Sequence, residues 1–222
     1  MIKIENTDIY GWEAAIRGMR NPHESWDKSD SDYWEKFYPW GWEEFYPWGA
    51  TREFIIIGKN DLKLMRSLAQ AGNDHAKFAR MINVTCDITA PLYWWKEFDT
   101  YKVGTVANSC STMHGITEKE FTLDDFSTEH LVPRMKEVLG LTIFTLNACR
   151  GIYIKTKEKN WWWQIIQLLP SSYNQKRTVQ LNYQVLWSMY QARKNHKLDE
   201  WREFCKWVEG LQYFKEIYLE VG

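Results

Sequence analysis

From residue 54 onward the chain switches repeatedly between short apolar extended runs and segments whose apolar residues recur at helical spacing, and no Pro-, Gly- or Ser-rich linker interrupts it. This alternation is the tightest constraint on the fold. An apolar helix stripe and the apolar face of a strand must each be buried against another element. The pattern predicts an α+β chain: a single, mixed, helix-rich domain over residues 1–222 with a small sheet. Residues 2–4 read as a first strand, and 12–19 as a helix with Trp12, Ala15, Ile16 and Met19 on one face. Residues 54–57 read as a strand, followed by a helix that Asn60 caps and Gly72 stops. A strand falls within 78–88, and Pro91 suits the opening of a helix over 92–98. Ser127 or Thr128 is placed to cap a long helix with Pro133 near its start, running to about 153. A helix over 161–169 ends at Pro170, and residues 178–194 pass from an extended start into a helix. The last helix, 199–211, carries Trp201, Phe204, Cys205, Val208 and Leu211 on one face.

A chain of 222 residues is long enough to build a real core. Its 28 basic residues face 29 acidic ones, so bulk attraction to nucleic acid or to a membrane surface is not implied. No window has the apolar length of a membrane helix, and the first residues show neither the basic nor the apolar region of a secretion signal. Cys86, Cys110, Cys149 and Cys205 are scattered without a CxxC, which suits reduced thiols in a cytoplasmic protein. The unusual number is 14 tryptophans. Aromatics build cores and interfaces, and they also stack on bases and flavins.

One tandem repeat is present. WEKFYPWG at 34–41 is followed at once by WEEFYPWG at 42–49, differing only at Lys36 against Glu44. Two copies are too few for a solenoid. The preferred reading is a local duplication in a loop or hairpin, packing on its own aromatics or on another subunit. A platform for a protein partner, base or cofactor is the alternative.

The stretch FDTYKVGTVANSCSTMHG, residues 98–115, is polar and directly follows the apolar run ITAPLYWWKEF. It reads as a loop behind a helix. Small hydroxyl, amide and thiol residues of this kind bind anions and nucleotides, and they also fill ordinary loops. No glycine-rich phosphate loop, GxGxxG or HExxH occurs. Cys110 and His114 have ligand spacing but lack two further ligands, so no metal site is expected. Adjacent Asp124 and Asp125 suit a turn or cap better than an acid–base pair.

Taken from residue 72 through residue 112, the chain resembles the flavin-dependent thymidylate synthases, the ThyX family. There a helix ending at glycine, a strand and a second helix lead into a signature RHRxxSxxxxSxR. Here Thr100, Tyr101 and Lys102 stand where the family has Arg-His-Arg, Thr105 and Cys110 at its serines, and Thr112 at its last arginine. The second half follows the family too. Leu169-Pro170, Asn182, Leu186 and Arg193 keep the spacing of its Leu-Pro and Asn-x-Arg-x-Leu elements, with Gln184 replacing the middle arginine.

The resemblance implies an FAD- and dUMP-binding protein that transfers a one-carbon unit to a pyrimidine nucleotide. NADPH and methylenetetrahydrofolate would be its co-substrates and a homotetramer its assembly. Arg80, Thr100, Tyr101, Lys102, Thr105 and Asn182 would lie on the cofactor. Asn108, Cys110, Thr112 and Arg193 would lie on the nucleotide. The missing arginines support an alternative, a non-catalytic nucleotide- or flavin-binding or protein-interaction protein on the same fold. A single-stranded nucleic-acid binder is a weaker alternative, because phosphate contacts supply most of such affinity and the charge is balanced.

Overall fold

A computed structural model of the chain describes residues 2–37, 51–110 and 115–220, and for 34–37 and 51–54 the backbone alone. Strand β1 is Lys3–Tyr10 and is followed by helix α1, Trp12–Arg20. Between them Gly11 sits at φ +92°, where a Cβ would lie 2.2 Å from the Met81 carbonyl oxygen, so this junction admits only glycine. Strands β2, Asp32–Phe37, and β3, Thr51–Ile56, pair antiparallel with Asp32 opposite Ile56 and Phe37 opposite Thr51. Then come α2, Lys59–Gln70, β4, Asn83–Pro91, α3, Leu92–Phe98, and β5, Val106–Ser109. The long α4, Pro133–Thr156, is followed by α5, Lys159–Leu168, β6, Asn174–Asn182, α6, Tyr183–Arg193, α7, Asp199–Glu209, and α8, Phe214–Tyr218. A four-stranded sheet has the order β1-β4-β6-β5. The fold is the helix-rich α+β arrangement expected, with a small sheet. Along β4 the pleat sorts the residues: Val84, Cys86, Ile88 and Ala90 are buried, while Asn83, Thr85, Asp87 and Thr89 are half-buried on the other face. Cys86 is pushed up to about 12 by burial and then by the neighbouring Asp87 carboxylate, so it is an inert core thiol.

Four local expectations are corrected. Asn60 does not cap α2. The helix begins at Lys59, and the carboxylate of Asp30 instead accepts the Asn60 and Asp61 N–H groups at 3.0–3.1 Å. Neither Ser127 nor Thr128 caps α4. Its N-cap is Val132, and the Ser127 hydroxyl donates to the Asn174 side chain at 2.9 Å. The strand expected within 78–88 starts only at Asn83, because residues Lys77–Arg80 form a 3-10 turn. Residues 98–110 are not all loop, since Val106–Ser109 pair with β6, Ser109 opposite Arg177 and Asn108 opposite Thr178. In the aromatic repeat, 34–37 belong to β2 and 38–49 lie outside the described residues.

By packing, the chain divides into two compact units. The first comprises Met1–Thr7, Cys86–Gln180 and Arg193–Phe204. One of its cores is aromatic: Trp94 lies 4.8 Å from Trp201 and 4.9 Å from Trp95 between ring centroids, with Phe98 and Phe204 around them. Its other core joins Leu139, Leu146 and Cys149 of α4 to Ile165 of α5 and to Ile116, Phe121 and Phe126. On the opposite side of α4, Leu141 is 67% and Phe144 71% exposed, with Val138 exposed beside them.

The second unit comprises Asp8–Thr85, Leu181–Ala192 and Cys205–Gly222. Trp12 packs edge-on to Tyr183 and Tyr213. Trp187 stacks on Tyr218 at 4.8 Å. Asp61, wholly buried, accepts from Arg20 Nε at 2.7 Å and from the Ser29 and Ser31 hydroxyls at 2.7 and 2.6 Å. A buried charge survives only when paired and hydrogen-bonded in this way.

Candidate functional site

The polar chemistry of the first unit gathers where α3, the turn after it, and residues 193–201 meet. Glu97 lies near the end of α3, and Thr100 closes that helix by donating its hydroxyl to the Glu97 carbonyl at 2.7 Å. Gly104, at φ +77°, turns the chain, and the Thr105 hydroxyl donates back to the Tyr101 carbonyl. Tyr101 is thereby held facing Arg193, the last residue of α6, whose Nε donates to the Tyr101 hydroxyl at 2.9 Å. The guanidinium lies 4.8 Å from the Trp201 ring and 5.6 Å from the Tyr101 ring, a cation–π arrangement. Its Nη1 donates to Glu97 Oε2 at 2.6 Å. The same oxygen accepts the Trp201 indole N–H at 3.1 Å and lies 3.3 Å from His196 Nε2. His196 Nδ1 accepts the Leu198 N–H at 3.2 Å, which fixes the ring beside Glu97.

The neighbouring strands are paired in the same manner. Arg177 of β6 lies 4.2 Å from the Trp95 ring and donates to Asp99 at 2.7 Å. Asp87 of β4 accepts from Thr178 at 2.6 Å and Asn6 at 2.9 Å, and lies 3.0 Å from Lys176 Nζ. Those hydrogen bonds, Thr178 foremost, hold its carboxyl down to about 2. A cavity of about 730 Å³ opens beside this strand, with Cys110, Ile116, Lys119, Asp125, Tyr173 and Lys176 among its lining residues. Lys119 Nζ lies 2.6 Å from Asp125. Burial alone would raise the Asp125 carboxyl, but Lys119 and the Thr122 N–H outweigh it and hold it below its ordinary value. Among the described residues, both lysines lining the cavity are therefore matched by carboxylates.

The residues expected on a cofactor or nucleotide fall into distinct places. Thr100, Tyr101, Thr105 and Arg193 come together in the cluster just described. Lys102 is exposed, with no ion pair among the described residues. Asn108 is exposed on β5, and Cys110 is exposed at the cavity, its N–H donating to the Lys176 carbonyl at 3.0 Å. Arg80 and Asn182 belong to the second unit. Arg80 Nε donates to the side-chain oxygen of Gln184, and Asn182 Oδ1 accepts the Val185 N–H at 3.0 Å, capping α6. Thr112 and His114 lie outside the described residues. Glu97, His196 and Trp201 were not singled out as site residues from the sequence. Glu97 meets Arg193 across 96 positions, a separation that leaves no local signal.

Among solved structures, the chain is similar to thymidylate synthase X (ThyX) from Helicobacter pylori, crystallised with FAD and dUMP. The TM-score is 0.67 and the identity 14%, over 99% of this chain and 98% of that one. A second structure of the Helicobacter pylori flavin-dependent thymidylate synthase, also complexed with FAD and dUMP, gives 0.67 and 14% over 98% of each chain. No family model matches the chain, and no curated protein matches its sequence. The likeness establishes a ThyX-like fold across essentially the whole chain.

Proposed function

We propose that this chain is a flavin-dependent thymidylate synthase-like protein that binds FAD and a pyrimidine nucleotide and serves one-carbon transfer to that nucleotide. NADPH and methylenetetrahydrofolate would be its co-substrates. The observation that carries the reading is the ThyX-like fold over the full chain length, because the solved proteins sharing it hold FAD and dUMP. The Arg193–Tyr101 hydrogen bond supports it, joining residues from the two separate segments that resemble the family's motifs.

The donor set fits a flavin pyrophosphate in part. Lys102 is an exposed cation suited to a phosphate, whereas Thr100, Thr105, Asn182 and Arg80 each have a structural hydrogen bond of their own. When bound, FAD would supply the electron transfer that a chain of ordinary side chains lacks. The protein's share is placement: Lys102 holds charge, and the Tyr101 and Trp201 rings frame the guanidinium of Arg193.

A homotetramer belongs to this proposal, supported by the exposed apolar side of α4, which a lone chain leaves facing water. The four free cysteines fit a reducing, cytoplasmic setting. Among the described residues no helix is long and apolar enough to cross a membrane.

The pairing of Arg193, Arg177, Lys176 and Lys119 with carboxylates favours a second reading: a binding protein on this fold that has lost thymidylate synthesis. Visible absorbance of the purified protein, followed by an assay for dTMP formation from dUMP with both co-substrates, separates them. A flavin band with product supports the first reading. A flavin band without product supports the second, and neither ligand bound sinks both except as a fold.

A further inference from the structure

The turn that joins α4 to α5 breaks two local rules at once. Lys157, the C-cap of α4, sits at φ +58°, the left-handed position that helices usually give to glycine. Lys159 opens α5, where the helix dipole disfavours a cation. Lys155 stands in the last turn of α4, so three lysines crowd into one short stretch. All three are exposed, and none has an ion pair among the described residues. Glu158 is the only carboxylate between 153 and 163. Two of the lysines stand over aromatic rings: Lys157 Nζ lies 5.8 Å from the centroid of Tyr153, and Lys159 Nζ 5.8 Å from that of Trp163. Trp163 is itself 41% exposed. Local costs that the fold leaves uncompensated point to a role outside the fold.

We propose that this turn is a docking surface for single-stranded nucleic acid, with Lys155, Lys157 and Lys159 on backbone phosphates and the Trp163 ring against a base. Each lysine supplies a point charge to a phosphodiester, and an indole stacks on any base whatever the sequence. A base on Trp163 brings its phosphate toward Lys159, which already stands beside that ring. Single strands fit and duplexes do not, because only an unpaired, unstacked base offers its face. An anionic bilayer fits less well, since its anchoring helices carry a broad apolar face. Ile154 is the only aliphatic side chain from 153 to 163. The surface is also separate from the exposed apolar side of α4, for Lys155 lies about 16 Å beyond Phe144 along that helix at about 1.5 Å per residue. A balanced total charge limits bulk attraction and leaves such a local patch intact. The inference is independent of the function proposed above.

The test is fluorescence anisotropy of a labelled oligodeoxyadenylate with the intact protein over a salt series. A purine strand and a background of excess dUMP keep any pyrimidine pocket out of the measurement. Three phosphate contacts on a single strand give an expected slope of log affinity against log salt of about −2. Lys155→Gln alone is expected to lower the magnitude of that slope by about 0.7. The combined variant Lys155→Gln, Lys157→Asn and Lys159→Gln is expected to lose about tenfold or more in affinity and nearly all of the slope. Asn is used at 157 because it tolerates the left-handed conformation. Trp163→Ala is expected to weaken binding about fivefold or more at an unchanged slope. Melting temperatures are expected to stay near wild type, since none of the four residues is buried. The inference is overturned if wild type leaves the oligonucleotide unbound, if binding survives in the combined lysine variant, or if Trp163→Ala binds like wild type. Wild-type binding to phosphatidylserine vesicles without binding to the oligonucleotide overturns it in favour of a membrane surface. Should the combined variant fail to fold, Lys155→Gln decides, and an unchanged slope there overturns the inference.

Discussion

Asp61 and Asn182 show how single side chains here divide between holding structure and serving a site. The Asp61 carboxylate accepts from Arg20, Ser29 and Ser31, and the Arg20 guanidinium also reaches the Ser25 and Lys28 carbonyls at 3.0 Å each. Removing one partner of such a buried pair strands the other charge. Asp61→Ala is expected to destabilise the protein by about 3–5 kcal/mol in denaturant unfolding; a loss near zero would show that water reaches Arg20. At Asn182 the carboxamide already caps α6, so Asn182→Ala is expected to cost about 1 kcal/mol of stability, while Asn182→Asp keeps the cap. Loss of flavin absorbance in Asn182→Asp at unchanged stability would mark a separate cofactor role. Both arrangements depend on partners that the local sequence does not announce, since Asp61 lies 41 positions from Arg20.

Among the elements, α4 departs from an ordinary amphipathic helix. Leu139, Leu146 and Cys149 are buried on one side, yet Val138, Leu141 and Phe144 face out on the other. A helix apolar all round belongs in an interior, and the second side calls for a cover that a single chain does not provide. Phe144→Glu is therefore expected to leave the fold intact and to lower the mass seen by light scattering from tetramer toward monomer; an unchanged mass removes α4 from the interface. The β2–β3 ladder makes a different prediction. Among the described residues its pairs run from Asp32 to Phe37 and from Thr51 to Ile56, and deleting WEEFYPWG, residues 42–49, removes none of these. Circular dichroism and melting are expected to change little, while assembly or partner binding changes. Global unfolding on deletion would place the repeat in the core. The elements themselves were largely legible, because helical spacing and strand alternation are local. Their starts were less so: α2 is capped from Asp30, and β5 exists only through its pairing with β6.

At the scale of the molecule, carboxylates set the acid limit of stability. Asp61, Asp87 and Asp125 all titrate below their ordinary value in the folded chain. For Asp61, burial works against this, and the hydrogen bonds from Ser31, Ser29 and Arg20 outweigh it. A carboxyl depressed in the folded state contributes stability that is complete above its unfolded-state value, near about 4, and is lost as pH falls through the folded value. Stability is therefore expected to hold above about pH 4 and to fall toward the value of about 2 held by Asp87. Asp87→Asn is expected to flatten part of that decline in acid titrations followed by fluorescence. An unaltered acid profile would show that Asp87 is as protonated unfolded as folded. The same pairing of cations with carboxylates keeps the site around Arg193 from presenting a bare positive patch.

The sequence by itself determined the fold class and the order of most elements, because apolar periodicity reports the face each segment must bury. It also marked Tyr101 and Arg193 as residues of interest, through their positions in two segments that resemble one family. Only the tertiary structure decided what those residues meet. Arg193 meets Glu97, Tyr101 and the Trp201 ring, and Lys176 meets Asp87. The physical reason is that periodicity records burial, which is a property of one segment, whereas charge neutralisation is a property of pairs brought together across 80 to 100 residues by the folding of the chain.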